Sequence, residues 1–178
     1  MTEILVLSGS LRAESVTTRV ASVALAADLP GVTATLAEGL DALPLFNDDL
    51  DTWHPPESVA HLRREVAAAD AVLFLSPANN GSISAALKNA IDWLSRPRAT
   101  APIQGKAAAL LVTGYSVDGV VDHLDHVLAA AGARVVRSPG RGLSLKMFGG
   151  RGPSDVPAVR EAVAEALAAL HAGTAIAV

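Results

Sequence analysis

A chain of 178 residues with 51% apolar side chains is long enough to bury a sizeable core and too apolar for disorder. Its net charge of −4 counts against a nucleic-acid-binding face, and the absence of cysteine excludes disulfides, thiolate metal sites and thiol nucleophiles. No apolar run is long enough to span a bilayer, and Met1-Thr2-Glu3 lacks the basic flank of a secretory leader. The expectation is one cytoplasmic domain over residues 1–178, with no membrane or nucleic-acid partner.

Ile4-Leu5-Val6-Leu7 reads as a strand covered on both faces, and it breaks at Ser8-Gly9-Ser10. Ser15 is placed to cap a helix, with Val16, Val20, Val23 and Ala27 at helical spacing and Pro30-Gly31 as its end. A strand that runs through a small-residue loop into a helix N-terminus makes an anion site. Free backbone N–H groups and the positive end of the helix dipole both face the loop. Ser10, Ser15, Thr17 and Thr18 add hydroxyls, and Arg12 adds a planar fork suited to phosphate oxygens. The loop carries neither the Gly-Lys-Ser/Thr of a Walker A sequence nor a G-x-G-x-x-G fingerprint. On spacing alone, a plain connecting loop with Ser15 as a simple cap is an equal reading.

Residues 32–36 read as the second strand, and residues 39–54 as a connector with acidic Asp48 and Asp49. Pro55-Pro56-Glu57 opens a helix that buries Val59, Leu62, Val66 and Ala69. Residues 71–75 form the third strand, and Pro77, which has no N–H to donate, stops its ladder. Asn79-Asn80-Gly81 turns the chain because Asn and Gly tolerate positive φ. Ser82 or Ser84 caps the next helix, whose apolar face is Ile83, Leu87, Ala90, Ile91 and Leu94. Residues 107–112 form the fourth strand, followed by the loop Thr113-Gly114-Tyr115-Ser116. Residues 117–131 are helical, with Val117, Val121, Leu124 and Leu128 inward and Gly132 after the end. Residues 133–137 read as the last strand, and residues 143–148 as a short extra one. Ser154 or Asp155 caps the final helix, which buries Val156, Val159, Val163, Leu167 and Leu170, and residues 174–178 read as a tail. His123 and His126 share a helix face without a third ligand, so no metal is expected there.

Strands alternating with helices imply an α/β doubly wound parallel sheet. Two segments carry a family resemblance. Gly9, Ser10, Arg12 and Ser15 match a G-S-x-R-x-x-S-x-N motif, with Thr17 in the place of Asn. Residues 76–93 follow T-P-E-Y-N-x-S-x-P-x-x-L-K-N-A-I-D-W closely from Leu87 to Trp93, with Ala78 and Asn79 in place of Glu and Tyr. The pattern resembles the NAD(P)H-dependent FMN reductase family. That resemblance implies a flavodoxin-like three-layer sandwich with a five-stranded parallel sheet in the order 2-1-3-4-5.

For this order, ligands bind outside the carboxyl ends of strands one and three. The resemblance further implies FMN, with its phosphate at Ser10, Arg12, Ser15, Thr17 and Thr18. Its ring would lie on the backbone of Pro77, Ala78, Asn79, Asn80 and Gly81, with Thr113, Gly114 and Tyr115 completing the cleft. NADPH or NADH would be the donor, and a small molecule the acceptor: a quinone, free flavin, azo compound or metal ion. A homodimer or homotetramer is expected, with Trp93 in its core or at its interface. No side chain is nominated as catalytic, because the cofactor carries the chemistry. The alternative is a non-catalytic flavin- or nucleotide-binding module, a sensor or electron carrier, favoured by the altered loop at Ala78 and Asn79.

Overall fold

The apolar runs become strands β1 (Thr2–Ser8), β3 (Ala71–Pro77) and β4 (Ala107–Gly114), paired in parallel with Ile4 beside Ala71 and Ala71 beside Ala107. Strand β2 (Val32–Leu36) flanks β1 and β5 (Arg134–Val135) flanks β4, so the order is β2-β1-β3-β4-β5, as expected. The computed structural model describes residues 1–174. The tail expected at residues 174–178 falls almost wholly outside them; Thr174 itself ends a helix.

Successive side chains of a strand point to opposite faces, and both faces are apolar here. Leu5, Leu7, Val72, Phe74, Leu110 and Val112 pack beneath helices α2 (Glu57–Ala68), α3 (Ala85–Leu94) and α4 (Asp118–Ala130). Ile4, Val6, Leu73, Leu75, Ala109 and Leu111 pack beneath α1 (Val16–Leu25) and α5 (Pro157–Thr174). A strand with no polar face cannot sit at a surface, and this forces the three layers.

Trp93 belongs to the core, fully buried on the inner side of α3. Its indole Nε1 donates to the Pro44 carbonyl at 2.8 Å, and its ring meets Phe46 edge-on at 4.9 Å. Asn89 Nδ2 donates to the same carbonyl at 2.9 Å, while Asn89 Oδ1 accepts from Phe46 N at 2.7 Å. The connector after β2 is thereby pinned to α3.

Three local expectations are corrected. Helix α1 buries Thr17, Val20, Ala21 and Ala24, leaving Val16 and Val23 only half-buried. The face is turned because Thr17 has a buried hydroxyl partner and needs no exposure. Thr113 and Gly114 end β4 instead of opening the loop. The fifth strand place is divided. After β5, Val136 N donates to Ala108 O; the chain then leaves through Pro139 and Gly140, and returns as β6 (Gly142–Ser144) against the upper half of β4. Pro139 has no N–H for the ladder, and Gly140 has a φ of 66°, so the strand cannot run straight through.

Candidate functional site

The loops that leave the carboxyl ends of β1, β3 and β4 enclose a cleft of about 480 Å³. The first loop lies directly on α3. A Cβ on Gly9 would collide with Ser84 Oγ and come within 2.8 Å of Leu87 Cβ, so only glycine fits. Gly9 N donates to Leu75 O at 2.7 Å and holds this loop to β3. Ser15 is the helix cap, its Oγ accepting from Thr18 N at 2.9 Å. Thr18 Oγ1 donates to Arg12 O at 3.0 Å and pairs with Ser15 Oγ at 2.8 Å. Thr18 therefore braces the loop from behind and does not line the cleft. Ser10, Arg12, Ser15 and Thr17 do line it. Arg12 is exposed and, among the described residues, has no ion-pair partner.

The second loop begins at Pro77, and Ala78 N donates to Thr113 O at 2.7 Å. Asn79 and Ser82 exchange both backbone hydrogen bonds around Asn80 and Gly81, whose φ values are 50° and 76°. Two positive-φ residues between paired partners form the tight turn expected of Asn-Gly. Pro77, Ala78 and Asn79 line the cleft; Asn80 and Gly81 stand beyond it on the tip of the turn. Ser84, not Ser82, caps α3, accepting from Leu87 N at 3.2 Å. Ser82 Oγ instead pairs with Nδ1 of His123 on α4 at 3.2 Å. His123 and His126 recruit no third ligand: among the described residues no group of three His, Asp or Glu side chains converges on a metal position.

The third side consists of Thr113, Gly114 and the outward-facing Tyr115, which is 76% exposed at the rim. Thr113 Oγ1 meets Thr17 Oγ1 at 2.6 Å in a buried pair that ties the start of α1 to the end of β4. Gly114 and Ala78 are in such close approach that a Cβ on Gly114 would sit 2.6 Å from Ala78 Cβ. Gly114→Ala should therefore lower stability by at least about 1 kcal/mol through overpacking. The double variant Gly114→Ala/Ala78→Gly should recover most of the loss in a thermal melt. Failure of the second change to rescue the first would disprove the contact.

Sequence reasoning missed Leu145, which reaches the cleft from the turn after β6, and the small pair Ala85 and Ala86 at the start of α3. The latter occupy the two unspecified positions of the second motif just before Leu87, and their small size is the signal that could have found them. Chemically the cleft is two-ended. Hydroxyls, a helix N-terminus and an unpaired guanidinium stand at one end, a donor set for a phosphate. Uncharged, mostly small or apolar groups (Pro77, Ala78, Gly114, Leu145) stand at the other, a wall for a flat neutral ring.

A family model described as NADPH-dependent FMN reductase matches residues 2–146. The NAD(P)H-dependent FMN reductase of Pseudomonas aeruginosa is 40% identical over 109 residues, 61% of this chain and 58% of that protein. A quinone reductase of Pseudomonas putida is 41% identical over 106 residues, 60% of this chain and 56% of that protein. These matches thus span less than two thirds of either relative's length. Among solved structures, the flavoenzyme NAD(P)H:(acceptor) oxidoreductase FerB of Paracoccus denitrificans is 26% identical, with a TM-score of 0.71 over 93% of this chain and 99% of that one.

Proposed function

The chain belongs to the NADPH-dependent FMN reductase family, and from that premise we propose that it is an FMN-dependent NAD(P)H oxidoreductase that reduces a small acceptor such as a quinone, free flavin, azo compound or metal ion. The single observation that carries this reading is the two-ended cleft at the switch point between β1 and β3. Its phosphate-type donors and its uncharged wall fit the two ends of FMN. The same reading takes residues 1–178 as one domain that works as a homodimer or homotetramer in the cytoplasm, where a nicotinamide donor is at hand.

Ser10, Ser15 and Thr17 offer hydroxyls to the phosphate, and Arg12 adds a full charge there. Thr18 keeps the loop in shape through Arg12 O. Pro77, Ala78 and Asn79 present the backbone and side chains of the second loop to the ring, and the Asn80-Gly81 turn fixes their direction. Thr113 and Gly114 close the opposite side, where the missing Cβ of Gly114 lets the second and third loops meet. The chemistry that FMN supplies when bound is reversible two-electron exchange between a nicotinamide and an acceptor. The protein's part is to hold, orient and shield, and no side chain of the cleft is required to carry a proton.

Tyr115 is the one aromatic side chain on the rim and replaces the broad surface that Asn79 lacks. Tyr115→Ala should weaken FMN binding by roughly two- to tenfold, the worth of one aromatic contact. Unchanged affinity and turnover would remove Tyr115 from the site. The function itself is tested by NAD(P)H oxidation, followed by absorbance, with the FMN-loaded protein and a benzoquinone. Rapid quinone-dependent oxidation is the expected result. Stable FMN binding without turnover would favour the second reading, a non-catalytic flavin module, which the small Ala78 and polar Asn79 side chains support.

A further inference from the structure

A second concavity, of about 520 Å³, runs between α1 and α5 on the other face of the sheet and shares no residue with the cleft. It exists because the facing side chains are too small to fill the space between two helices: Ala26 and Ala27 from α1 and its end, and Ala164 from α5. Its walls are apolar, with half-buried Val23, Ala27 and Leu29 on one side and buried Val163 on the other. Val23 and Ala27 belong to the face of α1 expected in the core and are only half-buried.

One end of the groove is cationic. Arg19 and Arg160, each the fourth residue of its helix, both line it. Each helix follows a strand of the one parallel sheet and packs back along it, so the two run the same way and their N-termini share an end. Among the described residues neither arginine has a carboxylate partner. Among the described residues Arg160 Nη1 donates to the Ser154 carbonyl alone, and Arg19 makes no side-chain hydrogen bond. The positive ends of both helix dipoles lie at the same end. The groove's own carboxylate, Asp28, stands beyond the C-terminus of α1, nine residues along from Arg19 and so more than two helical turns away.

We propose that this groove is a second ligand site, which binds a small amphipathic organic anion of the fatty-carboxylate type. The carboxylate sits between Arg19 and Arg160, and the hydrocarbon lies along Val23, Ala27 and Val163 toward Leu29. The charge pattern selects the class. An uncharged lipid would leave two arginines unanswered, and a cation would meet them directly. A free dicarboxylate or phosphate would leave the apolar walls wet. This site does not depend on the flavin reading, because none of its residues faces the cleft.

The test is calorimetric titration of decanoate into the FMN-saturated protein, with decan-1-ol and decyltrimethylammonium as matched probes. Saturable one-to-one binding of decanoate is expected, with neither matched probe competing at equal concentration. Arg19→Ala/Arg160→Ala should weaken it by roughly tenfold, the combined effect of two partly exposed charge contacts. Ala27→Trp should fill the groove and abolish binding, with the melting temperature and the FMN affinity unchanged. The proposal fails if decanoate shows no saturable binding, if decan-1-ol binds as well, or if the double arginine variant binds as tightly as the parent. It also fails if FMN displaces decanoate, which would locate binding in the cleft. A self-association that Ala27→Trp alone disrupts would overturn it too, by assigning the groove to a second copy of the chain.

Discussion

Trp93→Ala should be the most damaging single substitution in this protein, with an expected loss of about 3–5 kcal/mol. The side chain is fully buried and, with Asn89, joins α3 to the connector after β2. Removing it leaves a large cavity between α3 and the connector, deletes the edge-on contact with Phe46, and strips the Pro44 carbonyl of its indole donor. Arg63, whose guanidinium lies 5.7 Å from the indole ring centre, loses that face as well. A protein of ordinary stability has only about 5–15 kcal/mol in total, so the variant should melt roughly 10 °C or more below the parent. Trp93→Phe should cost clearly less, because it keeps most of the buried aromatic volume and leaves a smaller cavity. Calorimetry or circular dichroism decides it. A shift of only one or two degrees for the alanine variant would show that the connector is not held here.

Arg12→Ala is expected to weaken FMN binding by about ten- to a hundredfold while leaving the fold untouched. The side chain is exposed and unpaired, so its removal breaks no internal contact; what the loop uses of Arg12 is its backbone carbonyl, which the substitution keeps. The control is riboflavin, which has the same ring without the phosphate. Its affinity should not change, so the preference for FMN over riboflavin should narrow by the same factor, with Ser10, Ser15, Thr17 and the helix N-terminus keeping the remainder. Fluorescence quenching titrations measure both. Equal losses for the two ligands would mean that Arg12 supports the ring end, and no loss for either would take it out of the cleft.

Much of this was legible in the sequence where the signal is local. The runs in β1, β3 and β4 have no polar position to expose, so they could only be central strands. Ser15 and Ser84 cap helices because a hydroxyl just before a helix answers its first N–H groups. The Asn-Gly turn folds as its residues demand. What escaped depends on partners distant in sequence. The burial of Thr17 makes sense only beside Thr113, ninety-six residues away. Leu145 reaches the cleft only because a three-residue strand docks on β4, and three residues carry no periodicity to read. The trough between α1 and α5 is likewise a property of two helices together.

The divided fifth strand has a consequence for how the molecule behaves among its own copies. A long straight strand at the margin of a sheet presents an open ladder to any neighbour, which is a route to aggregation. Here that margin is broken into segments of two and three residues, too short to template an addition. The break also frees the chain between them. β5 is held in register by Ala107 and Ala108, and β6 by residues 112–114, so neither relies on the length of the excursion. Its tip, Pro139-Gly140, is exposed. An epitope or a small reporter module inserted there should be tolerated, giving an engineer a point of entry that leaves sheet and cleft intact.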